Sequence, residues 1–122
     1  MNKLDQLVTQ ITTNPEITEF QHVISVIDEH YFYTPTQFTN GAGNDCIINK
    51  VGENEGSCKI FSFAHEQNLD KSQTLHCFGQ YYRDDVLNHP ENKDHANIRN
   101  FIKYGWKGIT FNGSALHYKE NQ

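Results

Sequence analysis

The sequence predicts a single small α+β domain over residues 1–122, mainly helical, with short antiparallel hairpins in the middle and at the C-terminus. Three observations lead there. Apolar residues recur at three- and four-residue steps along much of the chain, the period of a helix face. Segments 36–51 and 109–118 alternate instead, and turn chemistry divides each: Asn40-Gly41-Ala42-Gly43-Asn44-Asp45 in the first, Asn112-Gly113 in the second. The hydrophobic fraction is a low 36%, but eight Phe and six Tyr supply large rings. Each ring buries much apolar area, so few residues suffice for a core.

The elements follow in order. Leu4, Leu7, Val8 and Ile11 form one stripe, which predicts a helix over 3–12. Asn14-Pro15 breaks it and offers a new start. Thr18 and Gln21 fit a capping box for a helix carrying Phe20, Val23, Ile24 and Ile27 to about His30. Thr34-Pro35 favours extended backbone, so Thr36 and Phe38 read as a short edge strand, with 46–51 returning as its partner. Ser57 is the expected N-cap of a helix through Glu66, and Asp70 of a helix over 71–87 that Asn88-His89-Pro90 ends. Asp94 is expected to cap the next helix, with Ile98, Phe101 and Ile102 inward and Gly105 as its stop. Ile109–Phe111 and Ser114–Tyr118 then read as a hairpin about Asn112-Gly113. Residues 119–122 read as a frayed end.

Composition narrows the function classes. A net charge of −5 argues against general binding of nucleic-acid phosphates or an anionic membrane, since both favour basic patches. No apolar run approaches the ~20 residues that span a bilayer. No basic segment precedes an apolar stretch at the N-terminus, so a cytoplasmic start is expected. Cys46, Cys58 and Cys77 are an odd set without a CxxC pair, and no intrachain disulfide is expected. Cys58 and Cys77 sit beside apolar residues and read as core. The seven histidines lack a zinc-motif spacing, so no metal is assigned, and nothing in the chain calls for a cofactor. The glycines of Gly52-Glu53-Asn54-Glu55-Gly56 resemble a phosphate cradle only superficially. No GxxxxGK[ST] pattern is present, two glutamates would repel phosphate, and a conformational role explains the glycines.

The richest stretch runs from Thr74 to Trp106. Its segment Tyr81-Tyr82-Arg83-Asp84-Asp85 combines a proton donor, an anion clamp and paired carboxylates. The same residues fit a helix whose buried face is Leu75, Phe78, Gly79, Tyr82 and Val86, with a buried tyrosine hydroxyl seeking a partner. On that reading Arg83 and Asp84 are an edge pair, and Arg99 reaches Asp84 or Asp85 to tie two helices. Asn97 and Arg99 lie two apart and point in different directions.

Thr74-to-Trp106, together with Tyr31-Phe32-Tyr33-Thr34-Pro35-Thr36 and Gly56-Ser57-Cys58-Lys59-Ile60-Phe61, resembles the HopJ type III effector family over about 20–116. The resemblance implies a bacterial interaction or binding protein, starting in the bacterial cytoplasm, with type III secretion and a host or bacterial protein partner. It implies no reaction. The rival expectation is a small enzyme or ligand-binding protein with a pocket of Tyr31, Tyr82, Arg83, Asp84 and Arg99.

Overall fold

The computed structural model describes residues 2–119. Asn2 accepts a hydrogen bond from the Asp5 N–H at 2.8 Å, and so caps α1 (Lys3–Thr13), which buries Leu4, Leu7 and Ile11. Pro15 sits in the first turn of a short 3-10 segment, Pro15–Ile17. The next helix, α2 (Phe20–His30), follows Glu19 and has no side-chain cap. The expected Thr18–Gln21 capping box does not form. Thr18 is fully buried, and its hydroxyl accepts from Gln10 Nε2 at 3.5 Å instead.

The chain leaves α2 directly into β1 (Tyr31–Tyr33). After Thr34-Pro35 come β2 (Phe38–Asn40) and β3 (Ile47–Asn49), paired antiparallel around the Gly43–Asp45 turn. This is the central hairpin the sequence predicts. The helix α3 (Glu55–Glu66) starts at Asn54, in left-handed backbone, rather than at Ser57. Asp70 caps α4 (Lys71–His76) as expected, and Gln73 returns the bond to complete a capping box.

The single helix expected over 71–87 is broken. Gly79 has φ +58, and a π-helical segment, Tyr81–Val86, follows it. The residue at the break has to be glycine. A Cβ on Gly79 would lie 2.7 Å from the Phe20 backbone nitrogen, so α2 begins where only glycine leaves room. The last helix, α5 (Ala96–Tyr104), starts at left-handed His95 and stops at Gly105, φ +64. Asp94, expected as its cap, pairs with Arg99 instead.

The two C-terminal strands exist but do not form a hairpin. Ile109–Phe111 (β4) pairs with β2, giving a three-stranded antiparallel sheet β3-β2-β4, so β2, expected at an edge, is the central strand; it starts at Phe38, and Pro35 stays outside the ladder. Leu116–Tyr118 (β5) pairs antiparallel with β1. A lone two-stranded ribbon is marginal in water. Here each strand finds an older partner, and buried Ala115 and Leu116 draw the chain onto the core between the sheets. Lys119, expected to fray, donates its N–H to the His30 carbonyl at 2.8 Å. Residues 120–122 lie outside the described residues.

Phe61 of α3 is the hub of the core. Its ring centroid lies 5.0–6.3 Å from those of Phe38, Phe78, Phe101 and Trp106, which come from five different parts of the chain together with its own. Cys58 and Cys77 are buried among these apolar groups, and all three cysteines are free. Burial pushes the Cys77 thiol up to about 12.

Gly52 and Gly79 separate two effects. Both have positive φ, but no atom stands within 4 Å of a Cβ added at Gly52. Gly52→Ala should cost only the left-handed strain, about 1–2 kcal/mol. Gly79→Ala should cost at least about 1 kcal/mol more, because backbone blocks the methyl. Equal losses in urea denaturation would contradict this packing of the start of α2 on Gly79.

Candidate functional site

A cleft of about 370 Å³ lies where α3 and α5 begin. Asn54, Gly56 and Ser57 come from the start of α3; His95, Ala96, Asn97 and Ile98 come from the start of α5. Phe20, Phe78 and Tyr81 supply an aromatic wall, and Ile47 of β3 closes one side. Phe20 meets Tyr81 edge-on at 5.1 Å, and Tyr81 lies against the His95 ring at 5.3 Å. Gly56 permits this wall: its missing Cβ would be 3.0 Å from Phe20 Cζ. No Lys, Arg, Asp or Glu is among the described residues that line the cleft.

Both helices enter without a side-chain cap. Asn54 has φ +50 and His95 has φ +51, and neither side chain accepts a hydrogen bond from its own first turn. The first N–H groups of a helix have no intrahelical partner and carry its positive dipole end. Two such ends therefore border one cleft.

A buried asparagine cluster engages the cap residue of α3 and the first turn of α5. Asn49 and Asn97 exchange hydrogen bonds reciprocally: Asn49 Nδ2 donates to Asn97 Oδ1 at 3.1 Å, and Asn97 Nδ2 donates to Asn49 Oδ1 at 2.8 Å. Asn54 Nδ2 donates to the same Asn49 Oδ1 at 2.7 Å. The side chain best suited to cap α3 is thus committed to β3. Asn40 Nδ2 donates to both the carbonyl and Oδ1 of Asn97, at 2.9 and 3.0 Å. Asn100 adds donation to the Asn40 and Asp45 carbonyls. The cluster fixes the start of each helix to the β2–β3 hairpin. It leaves Asn40 Oδ1 buried without a partner among the described residues, a cost of about 1–3 kcal/mol.

His95 has a second attachment. Its Nε2 lies 3.0 Å from Asp85 Oδ2, on the π-helical segment. The side chain is 28% exposed, so the imidazole bridges the protein and the cleft opening.

Residues 4–116 match the family described as HopJ type III effector protein. The chain belongs to that family. A solved structure, described as that of the unknown function protein VPA0580, superposes with a TM-score of 0.91 at 50% identity, covering 98% of this chain and 95% of that one. No curated protein matches the HopJ-family chain.

The side chains singled out from the sequence have separate partners. Tyr31 is buried in β1, and its hydroxyl accepts from Gln67 Nε2 at 3.1 Å. Burial, then Glu66, raises its pKa. Tyr82 and Arg83 do meet around His76. The Tyr82 ring is edge-on to it at 5.3 Å, and Arg83 Nη1 lies 3.1 Å from His76 Nδ1 and 3.2 Å from its carbonyl. The Tyr82 hydroxyl, expected to find a buried partner, makes no hydrogen bond with another described residue. Arg83 Nη2 donates to the Thr18 carbonyl. Asp84 is exposed and forms no ion pair with Arg83 among the described residues.

Arg99 reaches neither Asp84 nor Asp85. It binds Asp94 Oδ1 at 2.7 Å and the carbonyls of Asp94 and Pro90 at 2.6 and 3.3 Å. The loop residue lies on its own helix's approach, which is nearer than the preceding helix. Arg83 and Arg99 each border a concavity, of about 200 and 270 Å³, but the hydrogen bonds above engage both guanidinium groups. The cleft residues Asn54, His95 and Asn97 were not grouped from sequence. Asparagine and histidine just before a helical stripe were the available signal, since both tolerate left-handed backbone. Among the described residues, no three His, Cys, Asp or Glu side chains are placed to hold a metal ion.

Burial, and then the Arg83 guanidinium, hold His76 below its ordinary value of 6.5. The folded state therefore favours neutral imidazole, while the unfolded chain takes up a proton near pH 6.5. This contribution is intact above about pH 6.5 and is lost as pH falls towards the folded value. His76→Gln should lose less stability than the parent between about pH 7 and 5.5. Equal losses in denaturant titrations at the two pH values would contradict it.

Proposed function

We propose that this HopJ-family chain works by binding a small planar ligand with acceptor oxygens, a carboxylate above all, in the cleft between the starts of α3 and α5. One observation carries the reading: two uncapped helix starts border a single cleft that also has an aromatic wall. N–H groups at such starts favour a negative oxygen. The half-buried rings of Phe20 and Tyr81, backed by buried Phe78, offer apolar surface to the rest of the molecule. A concave, largely apolar site with a few convergent polar groups is the usual form of a small-molecule site.

Membership of a type III effector family supports two further parts of this reading. The chain is made in the bacterial cytoplasm and passes through a type III system, and it acts against a host or bacterial protein. Exposed apolar Phe32, Ile48 and Val51, at 62%, 59% and 65% exposure, favour the protein-partner part. No helix among the described residues is long and apolar enough to cross a membrane. The ligand reading and the partner reading are compatible, because these exposed side chains do not line the cleft.

Benzoate and benzylamine test the ligand reading. Amide spectra of the isotopically labelled protein should shift with benzoate at Glu55–Ser57 and Ala96–Ile98. Benzylamine should leave those amides nearly still. Gly56→Val, which crowds Phe20, should weaken benzoate binding about tenfold, or ~1.4 kcal/mol. Equal responses to both compounds, or shifts away from the two helix starts, would overturn the proposal.

A further inference from the structure

We propose that His95 is the proton-accepting recognition group of the cleft, so that the ligand carries a hydroxyl or N–H donor beside its acceptor oxygens. The inference rests on the binding reading above and adds the ligand's second chemical requirement.

The argument begins at the other ring nitrogen. A neutral imidazole has one N–H donor and one acceptor nitrogen. His95 Nε2 lies 3.0 Å from Asp85 Oδ2, and a carboxylate only accepts. The proton of the neutral ring therefore belongs on Nε2, and Nδ1 keeps its lone pair. Nδ1 forms no hydrogen bond with another described residue, and His95 lines the cleft. The ring plane is set as well, because Tyr81 packs against it with centroids 5.3 Å apart.

Other charges near the ring come from the π-helical segment and from the loop before α5. Asp85 is the closer; Asp94 Oδ2 lies 4.0 Å from Nε2, while Arg99 holds the other Asp94 oxygen at 2.7 Å. Both acids face the Nε2 side, which reinforces the same tautomer. A simple tie between the π-helical segment and α5 accounts less well for this arrangement. The pair is 28% and 47% exposed, and such pairs add little to stability. A tie also gives no reason for the histidine to stand at the cleft with its acceptor nitrogen unpaired.

The result is an acceptor placed beside donors. The α5 amides that follow His95 present N–H groups, and His95 presents a lone pair. Of the ligands that the helix starts admit, this pairing selects those with a hydroxyl or N–H close to the acid group. A methyl ether at the same position keeps the shape and removes the donor.

The test compares the three hydroxybenzoate isomers with their methoxy counterparts, titrated into the full chain. At least one hydroxy isomer should bind about three- to tenfold tighter than its ether. In His95→Gly, which tolerates the left-handed backbone and carries no side-chain acceptor, that ratio should fall to about one whatever the change in benzoate affinity itself. Asp85→Asn should reduce the ratio by loosening the tautomer. Long-range nitrogen–proton spectra of the unliganded parent should show His95 protonated at Nε2, a readout needing neither ligand nor variant. A ratio near one in the parent, an unchanged ratio in His95→Gly, or an Nδ1-protonated His95 would each overturn the inference. If benzoate binds normally in those cases, the binding reading survives alone; if benzoate itself fails to bind, both fall.

Discussion

The reciprocal amide pair of Asn49 and Asn97 is the constraint on which the rest of the cleft depends. It joins the last residue of β3 to the first turn of α5 in a fully or nearly fully buried setting. Buried amides without partners are costly, so a network that pairs all but Asn40 Oδ1 among the described residues has one arrangement strongly preferred over its neighbours. Asn54 hangs on the same Asn49 oxygen, which brings the start of α3 into register with the start of α5. Neither helix end is therefore free to slide or to cap itself. The polar donors left at the cleft follow from where asparagine side chains are spent.

The aromatic core supports this layer from beneath. Phe61 contacts rings from β2, the α4 end, α5 and the Gly105–Gly108 turn, so the elements that carry the asparagines share one packed centre. Phe20 and Phe78 extend the same packing outward to the cleft wall. Arg83 fastens the approach to α2 by its bonds to the Thr18 and His76 carbonyls, which holds Phe20 beside Tyr81. The arginines that look most like ligand clamps in sequence are anchors in the fold. The cleft is instead furnished by neutral amides, rings and one histidine.

What was legible in the sequence follows the range of the forces involved. Local signals are legible: the Asp70 N-cap, the Gly105 stop, the central hairpin and the apolar face of Leu75, Phe78 and Val86. Long-range competition is not. Asn112-Gly113 has ideal hairpin chemistry, yet β4 and β5 separate because β2 and β1 already offer edges to them. The helix over 71–87 has continuous periodicity, yet Gly79 turns left-handed where the Phe20 backbone packs against it. Asn97 and Asn49 stand 48 residues apart, and no local pattern announces that two amides will face each other. Family resemblance located the chain among type III effectors but assigned no residue a role.

A double-mutant cycle on Asn49 and Asn97 tests the central claim most directly. Asn49→Ala, Asn97→Ala and the double variant would be compared by urea denaturation, with the benzoate response of the helix-start amides recorded for each. If the reciprocal pair organises the cleft, the two losses should be coupled by about 1–3 kcal/mol, and either single change should already abolish the response. Additive losses within about 0.5 kcal/mol, with the amide response retained in a single variant, would contradict the account.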